Sequence, residues 1–193
     1  FVAAGRDAYV PGDPMNPETN MGPLVTREDQ QRVLSMIDAG AKEGARLAFG
    51  GCVPEGLDSG AYVSPTLFTG VNNDMSIARQ EIFGPVVSVI PCNDLDEAIE
   101  INNGVVYGLS ASIYTRDVNR AFRAMRDLHS GIVYVNAPTI GAETHMPFGG
   151  VKQTGNGHRE GGWEVYDFYS ETKVGYVDYS GTLQRAQIDN YQS

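Results

Sequence analysis

Between Val86 and Val135, three short apolar runs alternate with two amphipathic stretches, and few folds accommodate that alternation. Val86–Ile90, Leu109–Tyr114 and Ile132–Val135 have the length and β-branched content of buried strands. Asp94–Asn102 places Leu95, Ala98 and Ile99 on one helical face. Asp117–His129 turns Val118, Ala121, Phe122, Met125 and Leu128 inward, and Gly131 closes it. Parallel neighbours need a crossover between them, so strand, helix, strand, helix, strand predicts an α/β fold: a parallel sheet with crossover helices. Such crossovers are right-handed almost without exception.

The flanks are less regular. Residues 11–23 are turn-rich and read as an ordered loop. Thr26 offers a helix N-cap, with Asp29 three positions on. Val33, Leu34, Ile37 and Ala41 follow at helical spacing and Gly44 is a stop, which predicts a helix from about Arg27 to Glu43. Ala45–Phe49 reads as a short strand ended by Gly50-Gly51. Tyr62-Val63 and Thr66–Phe68 read as extended, with Pro65 favouring a sheet edge. Residues 136–162 form a Gly-, Asn-, Thr- and Pro-rich stretch too long for a routine connection, and such loops are usually functional. Trp163–Tyr169 predicts a short helix and Thr172–Tyr179 a strand near the C-terminus. Gly155-Asn156-Gly157 does not have dinucleotide-loop spacing and has no strand running into it, so a tight turn opening the next helix is expected there.

Composition narrows the function classes. The 193 residues are 41% apolar, which argues against disorder, and the formal charge of −10 argues against binding nucleic acid. No apolar run approaches the ~20 residues that a membrane helix needs. Two cysteines, Cys52 and Cys92, are too few for a disulfide scaffold, so reduced thiols and a cytoplasmic setting are expected. Neither is expected to be a nucleophile: Cys52 follows Gly50-Gly51, and Cys92 sits beside Asn93-Asp94, where an acid would raise a thiol pKa. His129, His145 and His158 are scattered, and no metal site is expected. The chain starts at Phe1 with no basic-then-apolar leader, and a piece of a longer polypeptide is the expectation.

Two strings carry chemistry. In Gln80-Glu81-Ile82-Phe83-Gly84-Pro85-Val86, a carboxylate and a ring stand two residues apart just ahead of a strand. Taken singly they are a surface acid and a core ring. Taken together, a carboxylate that accepts hydrogen bonds from ribose hydroxyls and a ring that packs a nicotinamide would form one cofactor grip. In Asn136–Phe148, Gly141-Ala142 can turn backbone N–H groups toward an anion, because glycine permits the φ angles needed. The bland alternative is an ordinary surface loop.

These strings, with Pro147-Phe148-Gly149-Gly150-Val151-Lys152 after them, resemble the NAD(P)-dependent aldehyde dehydrogenases. Met21-Gly22-Pro23-Leu24, Ser64-Pro65-Thr66, Asp74-Met75, Asn102, Tyr107-Gly108-Leu109-Ser110, Gly131 to Asn136, Gly155-Asn156-Gly157 and Arg159-Glu160 match the family pattern in order, from about Pro11 to Ser180. The resemblance implies that Glu81 is the cofactor-ribose carboxylate and Phe83 the nicotinamide-packing ring, with NAD or NADP as cofactor. It makes Lys152 and its neighbouring glycines structural.

Pro138-Thr139-Ile140-Gly141-Ala142-Glu143 resembles the antiquitin-like branch, which handles semialdehydes bearing a distal carboxylate. On that likeness Gly141 and Ala142 hold the substrate carboxylate and Phe148 lines its aliphatic chain. The family oxidises an aldehyde to an acid through a cysteine thioester. Its nucleophile, glutamate base and dinucleotide domain are expected upstream of Phe1, so no catalytic residue is assigned here and the isolated chain is expected to be inactive. The resemblance divides the chain into a catalytic-domain portion (1–153), a connection (154–170) and an oligomerisation strand with tail (171–193) that joins neighbouring subunits of a homo-dimer or homo-tetramer. A non-catalytic structural or interaction module is the alternative, and an unrelated doubly wound binding protein is a third.

Overall fold

A computed structural model describes residues 9–141 and 143–182. Its first helix, α1 (Arg27–Lys42), begins where a side chain satisfies free backbone donors: Thr26 accepts from the Asp29 N–H, and its hydroxyl donates to the Asp29 carboxylate at 2.9 Å. It ends in a Schellman arrangement, with the Ala45 N–H donating to Gly40 O at 3.0 Å and the Gly44 N–H to Ala41 O at 3.2 Å. Then follow β1 (Arg46–Phe49), β2 (Thr66–Thr69), α2 (Ser76–Arg79), β3 (Val86–Ser88), α3 (Leu95–Asn103), β4 (Ser110–Ile113), α4 (Val118–Asp127) and β5 (Ile132–Val135). A short 3-10 turn (Lys152–Thr154) and α5 (Glu164–Tyr169) complete the order. Asp94 and Asp117 cap α3 and α4 by accepting from first-turn N–H groups.

The fold is α/β with parallel pairing, but the strands fall into two sheets. One has the order β1-β2-β3, antiparallel between β1 and β2 and parallel between β2 and β3. The other is the parallel pair β4-β5, whose register joins Ser110 to Ile132 and Ile113 to Val135. The strands on either side of α3 therefore do not pair with each other, and the run of alternating elements does not build one continuous sheet among the described residues. β2 is central, not an edge. Pro65 lies one position ahead of it, so the first N–H in use is that of Thr66, which donates to Pro85 O at 2.8 Å.

The core lies in the first half. Val33 and Phe68 are fully buried, and Ile37, Val63, Val71, Ile77 and Ile82 pack with them between α1, α2 and the three-stranded sheet. The second half is thinly covered. Among the residues expected to face inward on α4, Ala121 and Leu128 are half-buried, while Val118, Phe122 and Met125 are exposed. Ala124, not expected there, is wholly buried. The helix lays its small side against the neighbouring elements, and nothing among the described residues covers its large apolar side.

Residues 171–179 form no strand. Val174, Tyr176, Val177 and Tyr179 are all exposed, and the stretch pairs with no strand among the described residues. Positions 183–193 and the start of the chain through position 8 lie outside the described residues. No helix among the described residues is long and apolar enough to cross a membrane.

Candidate functional site

The Glu81–Gly84 turn is built from its neighbours. Ile82 is buried in the core, and its carbonyl accepts from Arg32 Nη1 on α1 at 2.7 Å. A Cβ at Gly84 would stand 2.7 Å from a methyl of Val33, so only glycine lets the turn lie this close to α1. On either side of Ile82, Glu81 and Phe83 face solvent. Phe83 is 74% exposed and adopts φ 47°, a left-handed conformation that costs about 1–3 kcal/mol for a non-glycine residue and persists only where the surroundings enforce it. The Glu81 carboxylate has no hydrogen-bond or ion-pair partner among the described residues. Phe83 is therefore not a core ring: a carboxylate without a partner among the described residues and an exposed aromatic ring stand on either side of the buried Ile82. Neither lines the cavity of about 720 Å³ that lies between α5 and residues 148–161.

The second candidate region is also brought together in part. Gly141 and Phe148 line one cavity of about 430 Å³ with Tyr134, Glu143, Met146 and Arg159. Gly141 has φ 91°, in the left-handed region that glycine tolerates. Ala142 lies outside the described residues. Phe148 is fixed by a two-way bridge: its N–H donates to Glu160 O at 2.6 Å, and the Glu160 N–H donates to Phe148 O at 2.8 Å. Phe148 and Arg159 also line the larger cavity, so they form the wall between the two.

Two further left-handed residues frame this loop. Asn136 (φ 55°) ends β5, and its amide accepts from the Thr115 N–H at 2.8 Å and donates to Thr115 O at 3.0 Å, locking the loop's entry to the end of β4. Lys152 (φ 54°) follows the double glycine, and its Nζ donates to Val105 O at 2.7 Å and Asn103 O at 3.2 Å. A Cβ on Gly131 would collide with the Gly149 carbonyl, which explains the glycine at the start of β5. Sequence reasoning gave Asn136 no role, although asparagine just after a strand and before a loop is a recognisable left-handed position. Tyr134 and Glu143 had no signal of their own, and Arg159 appeared only as part of a motif.

Cys52 and Cys92 are both free and exposed. Cys52 Sγ lies 3.7 Å from Ser64 Oγ. Among the described residues no group of three or more His, Cys, Asp or Glu side chains could hold a metal ion. Away from both regions, the hydrogen bond from Arg126, aided by Arg123, holds the Asp127 carboxyl below the usual carboxylate range.

Comparison with known proteins is uniform. The model of the aldehyde dehydrogenase family matches residues 2–174. A betaine aldehyde dehydrogenase of Brucella anthropi is 45% identical over 169 residues, covering 86% of this chain and 34% of that protein. One from Sinorhizobium fredii is 41% identical over 172 residues, covering 89% and 35%. A Mycobacterium tuberculosis aldehyde dehydrogenase complexed with NAD+ superposes with a TM-score of 0.82 at 37% identity, covering 90% of this chain and 36% of that one. A Burkholderia cenocepacia structure described as an aldehyde dehydrogenase reaches 0.90 at 34% identity, covering 96% and 38%. The chain spans about a third of the length of the relatives it matches.

Proposed function

Because the chain belongs to the aldehyde dehydrogenase family, we propose that it is part of an enzyme that oxidises an aldehyde to a carboxylic acid through a cysteine thioester, with NAD or NADP as oxidant. The carrying observation is the Glu81–Phe83 pair, exposed on both sides of a buried isoleucine. An unengaged carboxylate suits two ribose hydroxyls, and an exposed ring suits the face of a nicotinamide. NAD is favoured because solved relatives are described in complex with NAD+. When bound, it supplies a hydride acceptor; this chain supplies the grip that orients it. Cys52 has the Ser64 hydroxyl at 3.7 Å and Cys92 stands next to Asn93-Asp94, where an acid would raise a thiol pKa, so the nucleophile is assigned to neither, and the isolated chain with NAD and an aldehyde is expected to give no turnover.

For the substrate we propose a semialdehyde with a distal carboxylate, held by the backbone at Gly141 and Ala142, with Phe148 along its aliphatic chain. The left-handed Gly141 and the Arg159 cation in the same cavity support this. A second reading has its own support: relatives are named betaine aldehyde dehydrogenases, and Tyr134, Phe148 and Glu143 are the aromatic and acidic groups that receive a quaternary ammonium. Steady-state kinetics of the full-length protein decide between them, using aldehydes of matched length ending in carboxylate, methyl or trimethylammonium. The first reading expects kcat/KM for the carboxylate to exceed that for the methyl compound by about tenfold or more, the worth of one hydrogen bond to a charged group. Equal values refute it, and preference for trimethylammonium establishes the second. We further propose that the exposed apolar stretch 172–179 adds to the sheet of a neighbouring subunit in a homo-oligomer.

A further inference from the structure

We propose that Arg32 is a positioning residue for the cofactor grip: by holding the Ile82 carbonyl it fixes the peptide plane between Glu81 and Phe83 and so presents both side chains. The inference rests on reading Glu81 and Phe83 as cofactor contacts.

The peptide unit is planar, so the Ile82 carbonyl and the Phe83 N–H turn together. Arg32 Nη1 donates to that carbonyl at 2.7 Å across 50 residues of sequence. The bond therefore sets the plane from which the unfavourable φ of Phe83 begins. Arg32 is itself held on a single face of α1: its Nη2 lies 3.4 Å from Asp29 Oδ1, and Nη1 lies 3.9 Å from the Met36 sulfur. Asp29 is in turn tied to the N-cap, its N–H donating to Thr26 Oγ1 at 3.0 Å and its Oδ2 accepting from the Thr26 hydroxyl at 2.9 Å. The capped first turns of the helix thus reach the grip through a chain of contacts, Thr26 to Asp29 to Arg32 to Ile82. The other two anchors of the turn, the buried Ile82 side chain and the seat of Gly84 on Val33, fix where the turn lies. Among the described residues, only the Arg32 bond acts on the peptide group that joins Ile82 to Phe83.

The test uses the full-length protein with Arg32→Met, Arg32→Lys, Asp29→Ala and Glu81→Gln. NADH affinity is read by fluorescence titration, KM for NAD and for the aldehyde separately, and stability by urea midpoint. Hydrogen exchange at Phe83–Gly84 is measured without cofactor. Arg32→Met is expected to weaken NADH binding by about three- to tenfold, the loss of one hydrogen bond to a carbonyl. It should raise KM for NAD but not for the aldehyde, and speed exchange at Phe83 in the cofactor-free protein. Arg32→Lys, which keeps a donor, should recover most of the loss. Asp29→Ala, which leaves Arg32 in place but unsteadied, should weaken NADH about twofold in the same direction.

NADH affinity within twofold of wild type in Arg32→Met, with Glu81→Gln weakened, overturns the positioning role and leaves the cofactor reading standing. Unchanged affinity in both variants removes the cofactor reading and this inference with it. Weakened affinity with unchanged exchange at Phe83 assigns Arg32 to direct contact instead and overturns the inference. A general loss, with both KM values raised and the urea midpoint lowered, also overturns it. If Arg32→Met does not fold, Asp29→Ala decides: NADH binding weakened about twofold with KM for the aldehyde unchanged supports the role, and NADH affinity equal to wild type overturns it.

Discussion

Gly84→Ala probes the seat of the candidate cofactor turn without touching either side chain that faces solvent. An added Cβ would lie 2.7 and 2.8 Å from the two methyl carbons of Val33 and 3.4 Å from its Cβ. Carbon atoms rest about 3.5–4.0 Å apart, so two contacts are each short by roughly 1 Å. Val33 has no exposed surface and is β-branched on a helix, where one rotamer dominates, so it cannot swing away. The turn must lift from α1 instead. Overpacking of this kind costs about 1–3 kcal/mol. Urea titration of the full-length protein should show the unfolding free energy lowered by that amount at unchanged slope, and NADH binding should weaken because Glu81 and Phe83 ride on the displaced turn. A stability loss below about 0.5 kcal/mol, the range of an ordinary surface substitution, together with unchanged NADH affinity, would refute the argument that α1 templates this turn.

Lys152→Met leaves the Asn103 and Val105 carbonyls without the ammonium donor, and the lost bonds should lower stability by about 1–3 kcal/mol by urea titration. A neutral result would mean that water replaces the donor freely. Asp127 gives a pH-dependent outcome. Its folded-state pKa is depressed by the Arg126 hydrogen bond, so it stabilises the fold above the ordinary carboxylate pKa and ceases to do so as pH falls through the depressed value. The stability difference between wild type and Asp127→Asn should therefore be present at pH 7 and vanish at acid pH. It should also shrink in 1 M salt, because the pair is exposed. A difference that grows on acidification contradicts the sign.

Local signals were legible in the sequence. Thr26 marked the start of α1 because a capping side chain acts on donors two or three residues away, and Gly44 marked its stop for the same local reason; the helices expected from Asp94 and Asp117 begin one residue later because those side chains are the caps. What failed was information that depends on distant neighbours. Periodicity revealed that α4 has an apolar side, but not that Phe122 and Met125 would lack cover in this chain while Ala124 made the buried contact. Strand and helix alternation implied parallel pairing, which β2-β3 and β4-β5 have, but not which strands are adjacent. Glu81 and Phe83 could be picked out by their spacing, yet Phe83 alone read as core, and only the left-handed φ and the burial of Ile82 turn it outward. Arg32 reaches Ile82 across 50 residues, a distance no local pattern encodes. The strand expected over Thr172–Tyr179 does not form: its alternation is poor and it pairs with no other strand among the described residues.

The most direct measurement is a crystal structure of the full-length protein with NAD bound. The account predicts both Glu81 carboxylate oxygens at hydrogen-bond distance, about 2.6–3.2 Å, from the nicotinamide-ribose hydroxyls, with the Phe83 ring against the nicotinamide. Bound NAD with Glu81 still turned to bulk solvent and Phe83 clear of the ring would contradict it.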